Sequence, residues 1–265
     1  MGLLPFPNGE ELETRRVLKQ ANEAHRYLAE LKGVALSIPN EAILINTLTL
    51  QEAKDSSEVE NIITTHDELY KASILTESQL NPATKEVRDY AFALRQGFEK
   101  VRSSGLIRLH DIIEMQATME RNNAGLRRLP GTDLKNQRTG EVVYTPPQSC
   151  AEIEQLMDNL VHYINDDECC DLDPLVKMAL IHHQFESIHP FYDGNGRTGR
   201  ILNVLYLVAQ RLLDIPVLYL SQYIIRNKAD YYQYLQDVRD QNRWEEWILF
   251  MLKGVAETAQ ETIRL

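Results

Sequence analysis

Cysteine is scarce in this 265-residue chain, which has three, at positions 150, 169 and 170. An odd and small number of cysteines argues against a disulfide framework and for a reducing compartment, so we expect a cytoplasmic protein. Long apolar runs are missing too, since none approaches the ~18 residues of a membrane span. Pro5 and Pro7 interrupt the apolar start of the chain and two glutamates follow, so we expect no signal peptide.

Positive charge is also in the minority. The chain has 28 Lys and Arg against 39 Asp and Glu, which gives a net charge of −11. This balance argues against nucleic-acid or membrane binding by the surface as a whole, although it leaves room for a local anion site. The sequence contains neither a GxxxxGK[ST] phosphate loop nor the protein-kinase signatures, so the common nucleotide-binding folds are not indicated.

Apolar periodicity predicts helices along the whole chain and therefore an all-α fold. Breaks are expected at Pro39, Pro82, Gly105 and Pro216. The stretch 201–208 is apolar on every side, as a central helix should be. The predicted helices cover residues 9–32, 40–54, 57–63, 67–78, 84–102, 108–121, 149–165, 172–188, 197–213, 228–241 and 244–262.

The most informative segment reads HPFYDGNGRTGR, from His189 to Arg200. Its Gly-Asn-Gly turn can direct several backbone N–H groups into one concavity, and it stands at the start of a predicted helix, whose dipole favours anions. Arg197 and Arg200 lie three residues apart on that helix, and guanidinium groups suit phosphate oxygens. Asp193 offers an oxygen ligand for Mg²⁺, and His189 is a natural general base.

A helix N-cap followed by two surface arginines would give part of the same pattern. Base, metal ligand, turn and two cations nevertheless occur together and in order, which favours a functional site. The segment resembles the Fic family motif HxFx[DE]GNGRxxR at every defined position. The resemblance implies an all-α, Fic-type helical core with a small β-hairpin flap. It also implies transfer of AMP from ATP to a Ser, Thr or Tyr hydroxyl of a target protein, with Mg²⁺.

The same resemblance implies a role for each residue of the motif. His189 would deprotonate the incoming hydroxyl, Phe191 would anchor the loop in the core, and Asp193 would hold Mg²⁺ between the α- and β-phosphates. The two arginines would bind the β- and γ-phosphates. The residues expected to bind ATP are Gly194, Asn195, Gly196, Arg197, Thr198, Gly199 and Arg200.

A second motif lies upstream, where Ser56, Glu60 and Asn61 fit the pattern [ST]xxxE[GN]. It is similar to the inhibitory helix of self-inhibited Fic proteins, here expected over about residues 56–63. A carboxylate beside Arg200 would occupy the guanidinium that the γ-phosphate needs. A serine N-cap with acidic residues in the first turn would give the same letters. The resemblance thus implies an N-terminal helical region over 1–66 and a Fic catalytic core over 67–265.

Residues 127–147 carry turn signals at Pro130-Gly131 and Thr139-Gly140 and the β-prone Val142-Val143-Tyr144, and they predict an irregular hairpin. This hairpin resembles the flap that pairs with an extended segment of the target protein, although a surface hairpin without a function would look similar. The sequence does not indicate which hairpin residues contact the target or ATP.

No feature calls for nucleic acid or a membrane as a partner, and exposed helices leave a homodimer possible.

Tyr231 and Tyr232 resemble a tyrosine pair that Fic proteins place against adenine. Adjacent helical residues diverge by about 100°, so one ring is expected in the core. Tyr232 is our choice for the residue that contacts the adenine base, and Tyr231 is the alternate.

Asn203 is either a buried hydrogen-bonded residue or a polar group near the nucleotide. His182 and His183 point apart on their helix, which predicts packing roles rather than a metal site.

Three functional hypotheses follow. The first is a self-inhibited adenylyltransferase that modifies a target protein and itself; Gly196 favours AMP, because the phosphorylating branch of the family typically has lysine there. The second is the reverse reaction, removal of AMP, with Glu60 orienting water. The third is a binding module in which nucleotide moves the N-terminal helices. The intact His189 and Asp193 argue against the last, since neither is needed merely to hold ATP.

Overall fold

The computed structural model describes residues 12–72, 74–135, 139–166, 168 and 170–264. These residues form eleven α-helices, one short 3₁₀ turn and a two-stranded antiparallel hairpin, so the predicted all-α fold with a small hairpin is confirmed. The elements are α1 Arg15–Ser37, α2 Glu41–Val59, α3 His66–Lys71, the 3₁₀ turn Glu77–Gln79, α4 Pro82–Ser104, α5 Leu109–Glu120, β1 Leu134–Lys135, β2 Val142–Tyr144, α6 Cys150–Asn165, α7 Pro174–Ile188, α8 Asn195–Ala209, α9 Ser221–Arg226, α10 Lys228–Gln241 and α11 Trp244–Ile263.

Helices α7 and α8 form the centre of the molecule. Every residue of α7 from Leu175 to Ile188 is buried, and α8 is buried on almost all sides. The other helices pack around this pair: α11 lies against α1 and α7, and α4 lies against α2, α5 and α8. The indole of Trp247 in α11 donates a hydrogen bond of 2.8 Å to the carbonyl of Ala179. Among the described residues, no helix is long and apolar enough to cross a membrane.

Side-chain caps define where several helices begin. Asn81 accepts a hydrogen bond of 2.8 Å from the N–H of Thr84, and Pro82 occupies the first helical position of α4. Asp173 and Pro174 start α7 in the same way, with the Asp173 carboxylate 2.9 Å from the N–H of Leu175. A proline at this position loses no hydrogen bond, and its fixed φ suits the helix. These caps place the start of both helices two residues away from the boundaries predicted by periodicity.

The predicted break between helices 40–54 and 57–63 is wrong. Residues 41–59 form one helix, α2, and Glu60 is its C-cap. Ser56 lies in the last turn and not at an N-cap, so the capping explanation for the motif is excluded. Ser56 and Ser57 are both buried, and packing of α2 against α4 overrides the weak helix preference of a Ser-Ser pair.

Other boundaries also differ from the prediction. Helix α1 continues to residue 37, because Pro39 rather than Gly33 ends it, while the predicted start at residue 9 lies outside the described residues. The segment expected as helix 67–78 is helical only to Lys71 and contains a separate 3₁₀ turn. Helix α8 ends at Ala209, before the left-handed Arg211, and α9 was not predicted.

The hairpin pairs Leu134 with Tyr144 and Lys135 with Val142, with an irregularity between the two pairs. Its tip, residues 136–138, lies outside the described residues. Two contacts hold strand β2 against the helices: the Tyr144 hydroxyl donates to the carbonyl of Ser187 (3.0 Å), and the Gln236 side chain donates to the carbonyl of Val143 (3.0 Å). The strand therefore has a fixed position beside the C-terminal end of α7.

Phe191 fills the core beside Phe185, with ring centroids 6.3 Å apart, and is fully buried. We expect Phe191→Ala to lower the free energy of unfolding by about 3–5 kcal/mol, because it leaves a cavity in a packed interior. Phe92 is 49% exposed, so Phe92→Ala, the same truncation at the surface, should change it by less than about 0.5 kcal/mol. Urea unfolding of both variants measures the difference; equal effects would contradict the anchoring role of Phe191.

Candidate active site

The chain turns sharply at His189, between α7 and α8. His189 is the C-cap of α7 in the left-handed conformation (φ 48°), and its N–H donates to the carbonyl of Phe185 (3.0 Å). Its own carbonyl accepts a hydrogen bond of 2.7 Å from Arg127 Nε, and Arg127 Nη2 donates to the carbonyl of Pro147 (2.9 Å). Arg127 is fully buried and ties the base of the hairpin to this turn, a role that sequence reasoning missed.

Asn195 closes the loop from inside. Its side-chain oxygen accepts from the N–H of Phe191 (2.8 Å), and its side-chain nitrogen donates to the carbonyl of Phe191 (2.7 Å). Asn195 is buried, so no water competes for these bonds. An amide side chain is required here, because only an amide carries both a donor and an acceptor at this spacing. The Asn195 side chain therefore shapes the loop and does not face a ligand.

Gly194 begins α8 in the left-handed conformation (φ 75°), which glycine adopts without strain. The exposed Asp193 precedes it and accepts a hydrogen bond of 2.7 Å from the N–H of Gly194 through Oδ1. Among the described residues, its second carboxylate oxygen has no hydrogen-bond donor, and it is available beside the start of α8. Within the described residues, no group of three or more His, Cys, Asp or Glu side chains could hold a metal ion. Asp193 therefore fits Mg²⁺ only as one ligand of an ion whose other ligands come from nucleotide phosphates and water.

Arg200 meets the upstream motif directly. Its Nε donates to the Ser56 hydroxyl (2.8 Å), and its Nη2 donates to the Ser56 carbonyl and to Glu60 Oε1 (2.9 Å each). Its side chain is 2% exposed, while that of Glu60 is 34% exposed. Burial alone would lower the pKa of Arg200, but nearby acidic groups, the Glu60 carboxylate first among them, outweigh burial, so this pKa is raised. The two motifs, 140 residues apart, thus form one site.

The absence of a side chain at Gly196 leaves space for the Glu60 carboxylate. A Cβ atom at Gly196 would overlap the Glu60 carboxylate and approach the guanidinium of Arg200. Asn61, the last residue of the motif, has a left-handed backbone (φ 64°) and accepts a hydrogen bond of 3.1 Å from Lys228 Nζ. The C-terminal end of α2 is therefore fixed both to α8 and to the start of α10.

A cavity of about 630 Å³ opens beside this ion pair, large enough for a nucleotide. Glu60, His189 and Gly196 line one part of it, and Tyr232 with Lys228 lines another. Hairpin residues and the face of α10 complete the wall: Asp133, Leu134, Lys135, Val143, Ala229, Gln233, Leu235, Gln236 and Arg239. Glu186 also reaches the cavity; sequence reasoning singled out neither Glu186 nor Arg239, because neither belongs to a motif quoted above.

His189 and Glu186 line the cavity and have strongly shifted pKa values. Burial lowers the pKa of His189 to about 4, and the positive charges of Arg127 and Arg239 act in the same direction. The imidazole is thus neutral at pH 7 and able to accept a proton. Burial raises the pKa of Glu186 to about 7, although Arg200 opposes the shift. Its Oε1 is fully buried without a hydrogen-bond partner among the described residues.

The tyrosine pair divides as expected. Tyr232 is 45% exposed and lines the cavity, whereas Tyr231 is 1% exposed and its hydroxyl lies 2.8 Å from His182 Nε2. Nδ1 of His182 lies 3.1 Å from the side-chain nitrogen of Asn203. Burial lowers the pKa of His182 to about 3, so this histidine is neutral. Asn203 is therefore the buried, hydrogen-bonded residue of the two alternatives.

Comparison with known proteins identifies the family. Residues 18–99 match the family described as Fic/DOC family N-terminal, and residues 100–207 match the Fic/DOC family. The chain belongs to the Fic/DOC family. Among curated relatives, "Protein adenylyltransferase fic-1" of Caenorhabditis elegans is 32% identical over 126 residues, which are 46% of this chain and 23% of that protein. "Probable protein adenylyltransferase aq_aa38" of Aquifex aeolicus (strain VF5) is 33% identical over 98 residues, 37% of this chain and 27% of that protein. The matches thus span about a quarter of these relatives.

Solved Fic structures share the fold. A Fic family protein from Desulfovibrio desulfuricans G20 superposes with a TM-score of 0.77 at 21% identity, covering 98% of this chain and 77% of that chain. Fic-1 (residues 134–508) of C. elegans has a TM-score of 0.69 at 21% identity, covering 94% and 72%. The described helical core and hairpin are therefore those of the Fic fold. The predicted domain boundary at residue 66 stays a prediction.

Of the seven motif residues expected to bind ATP, only Gly196 lines the cavity. Gly194 and Asn195 shape the loop and Arg200 pairs with Glu60, as described above, and the other three are buried elsewhere. Arg197 is buried between two carboxylates, with Nη2 2.6 Å from Glu120 and Nη1 3.1 Å from Glu86. Thr198 is fully buried and its hydroxyl donates to the carbonyl of Gly194 (2.8 Å). Gly199 packs against α7, where a Cβ atom would crowd Glu186 and Phe185. In this state their roles are structural, and the same holds for the core residue Tyr231.

Asn195 offers a direct test of how the Fic loop is held. We expect Asn195→Ala to lower the free energy of unfolding by about 2–4 kcal/mol, because two buried backbone groups of Phe191 lose their partners. Asn46 is an exposed asparagine that accepts one hydrogen bond from Arg95, so Asn46→Ala should cost less than about 0.5 kcal/mol. Urea unfolding compares the two. A cost for Asn195→Ala as small as that of the control would contradict this account of the loop.

Proposed function

We propose that this chain is a self-inhibited protein adenylyltransferase, which transfers AMP from ATP to a Ser, Thr or Tyr hydroxyl of a target protein and of itself. Curated relatives matched over part of their length are named protein adenylyltransferases. The observation that carries the proposal is the neutral, cavity-lining His189 on the same loop–helix turn as Arg200. A base and a guanidinium beside a nucleotide-sized cavity suit attack of a hydroxyl on a phosphate ester.

In the proposed reaction, His189 takes the proton from the target hydroxyl as its oxygen attacks the α-phosphorus of ATP. One oxygen–phosphorus bond forms, and the bond to the departing pyrophosphate breaks. The first N–H groups of α8 would hold phosphate oxygens, with Arg200 on the γ-phosphate. Asp193 would contribute a ligand to Mg²⁺, and bound Mg²⁺ supplies charge neutralisation for the phosphates. No nucleophile of the enzyme is needed, because the attacking oxygen belongs to the target.

The contacts of Arg200 support the inhibitory part of the proposal. Nε and Nη2 are both engaged by Ser56 and Glu60, so a γ-phosphate has to compete for them. The Glu60 carboxylate also lies against Gly196 at the start of α8, where its negative charge repels a triphosphate. Loss of one charge-assisted contact costs up to about 3 kcal/mol, which corresponds to about a hundredfold in rate. We therefore propose that the enzyme turns over slowly until Glu60 leaves Arg200.

Tyr232 is the proposed support for adenine. Its partly exposed ring lines the cavity near the start of α10, and an aromatic face suits a purine. Tyr231 packs edge-on against it, with centroids 5.1 Å apart and an interplanar angle of 72°, and this contact fixes the orientation of the Tyr232 ring. The target segment is proposed to bind along the hairpin, whose strand β1 reaches the cavity.

One prediction of the proposed function concerns inhibition. With α-labelled ATP and Mg²⁺, we expect Glu60→Gly to raise AMP incorporation about a hundredfold over the wild type, since Arg200 becomes free for the γ-phosphate. The double variant Glu60→Gly/His189→Ala should incorporate no AMP. Glu58 is a matched control on the same helical turn, because its carboxylate pairs with Lys54 and not with Arg200.

Glu58→Gly should therefore leave incorporation at the wild-type level. Equal AMP incorporation in the wild type and Glu60→Gly would contradict the proposed inhibition but not the proposed transferase activity. If no variant incorporates AMP while Glu60→Gly still binds ATP, the transferase is refuted and a nucleotide-gated binding module is favoured.

Another prediction of the proposed function concerns pH. A base with the ordinary histidine pKa of about 6.5 is nine-tenths protonated at pH 5.5, so its rate would fall about tenfold between pH 7.5 and pH 5.5. The pKa of His189 is lowered to about 4 by burial, and the negative charge of Glu60 opposes that shift, so Glu60→Gly lowers this pKa further. We expect kcat/KM of Glu60→Gly to stay within about twofold over this range. A midpoint near pH 6.5 would show that His189 is not the buried, neutral base described here.

A further inference from the structure

Arg239 is a cation of the cavity wall, on the face of α10 that meets the hairpin. Among the described residues, no carboxylate lies within 4.0 Å of its guanidinium, whereas Arg197 pairs with two carboxylates and Arg200 with one. Burial lowers the pKa of Arg239. The carboxylate of another helix that acts on Arg239 is that of Glu186, whose own pKa is raised to about 7, so Glu186 is only partly ionised at neutral pH. Arg239 is partly buried, and a cation in the wall of a cavity with no counter-charge beside it points to an external anion.

The guanidinium is held in a fixed orientation. Its Cζ lies 4.1 Å from the ring centroid of Tyr144 in strand β2. Nε donates to the Ser187 hydroxyl (3.1 Å), and Nη1 makes a long contact with Gln236 Oε1 (3.4 Å). Nη2 has no hydrogen-bond acceptor among the described residues. One edge of a planar, always charged donor is therefore available to a ligand in the cavity.

The position of Arg239 favours the target protein over the nucleotide. The proposed phosphate groups, Gly196 and Arg200, belong to α8, whereas Arg239 stacks on the hairpin and bonds Ser187, two residues before His189. Its helical neighbour Gln236 also bonds the hairpin, at the carbonyl of Val143. Arg239 thus lies between the strand proposed to receive the target and the base that takes the hydroxyl proton.

From this geometry we infer, on the basis of the proposed function, that Arg239 binds an acidic side chain of the target protein close to the hydroxyl that receives AMP. Alternate residues of an extended segment share one face, so the Asp or Glu is expected within about two positions of the modified residue. The expected substrates are Ser, Thr or Tyr residues with an Asp or Glu close by in the sequence of the target. Arg239 acts as a specificity residue, and its part in the chemistry is limited to the positive charge that helps to lower the pKa of His189.

The test uses short fluorescent peptides with one central serine. The two peptides of a pair differ at one flanking position, which is Asp in one and Asn in the other, and each flanking position has its own pair. Fluorescence anisotropy measures their Kd for Glu60→Gly and for Glu60→Gly/Arg239→Gln. We expect Glu60→Gly to bind the Asp peptide about tenfold more tightly at one position, as for one charge-assisted hydrogen bond. In Glu60→Gly/Arg239→Gln the ratio should be close to one, while the Kd for ATP measured by calorimetry stays the same.

Two further variants separate charge from support of the hairpin. Arg239→Lys keeps the charge and should keep part of the preference for Asp. Ser187→Ala removes the bond to Nε but leaves the guanidinium in place, so the preference should persist. Loss of the preference in Ser187→Ala to the same extent as in Arg239→Gln would show a disturbed hairpin and overturn the inference.

Absence of any acidic preference in Glu60→Gly would also overturn it. A weaker Kd for ATP in Arg239→Gln, with an unchanged Asp-to-Asn ratio, would assign the guanidinium to nucleotide phosphate instead. Failure of the proposed function is detected by a separate measurement, in which no peptide incorporates labelled AMP from α-labelled ATP. Anisotropy measures peptide binding and does not depend on AMP transfer.

Discussion

The buried guanidinium of Arg200 is the constraint on which the site depends. A cation with 2% exposure at the heart of a helical core requires a counter-charge, and in this state Glu60 supplies it. The same guanidinium is the proposed partner of the γ-phosphate, so Glu60 and the nucleotide compete for one set of donors. The proposed inhibition thus needs no separate inhibitory domain. It follows from the choice between an internal and an external anion for one buried cation.

The surrounding structure holds Arg200 and its loop in place, so that the partner of Arg200 is what can change. Helix α2 ends at Glu60, α8 begins at Gly194, and Ser56 bonds Arg200 through both its hydroxyl and its carbonyl. The loop before α8 is closed by the side chain of Asn195, and its turn is held by Arg127. With α8 and the loop fixed, the end of α2 is the element whose release would free Arg200. Because the Lys228–Asn61 bond joins that end to α10, release is expected to reach the adenine side of the cavity as well.

Much of this was predictable from sequence, because local patterns carry it. The segment from His189 to Arg200 predicted the loop and the following helix, and the upstream motif predicted the pairing of Glu60 with Arg200. The partners of Arg197 were not predictable: Glu86 and Glu120 lie 111 and 77 residues away, and no local pattern indicates which carboxylates packing brings together. Tertiary packing also decided that α2 is one helix through its Ser-Ser pair. Arg239 was missed because it stands in no quoted motif and is defined by the hairpin it contacts.

The central claim is that Glu60 denies Arg200 to the γ-phosphate, and calorimetry of ATP against ADP tests it most directly. In the wild type the two nucleotides should bind with nearly equal Kd, because the γ-phosphate finds no guanidinium. In Glu60→Gly, ATP should bind about tenfold more tightly than ADP, and adding Arg200→Ala should return the ratio to one. A wild type that prefers ATP over ADP as strongly as Glu60→Gly would contradict the account.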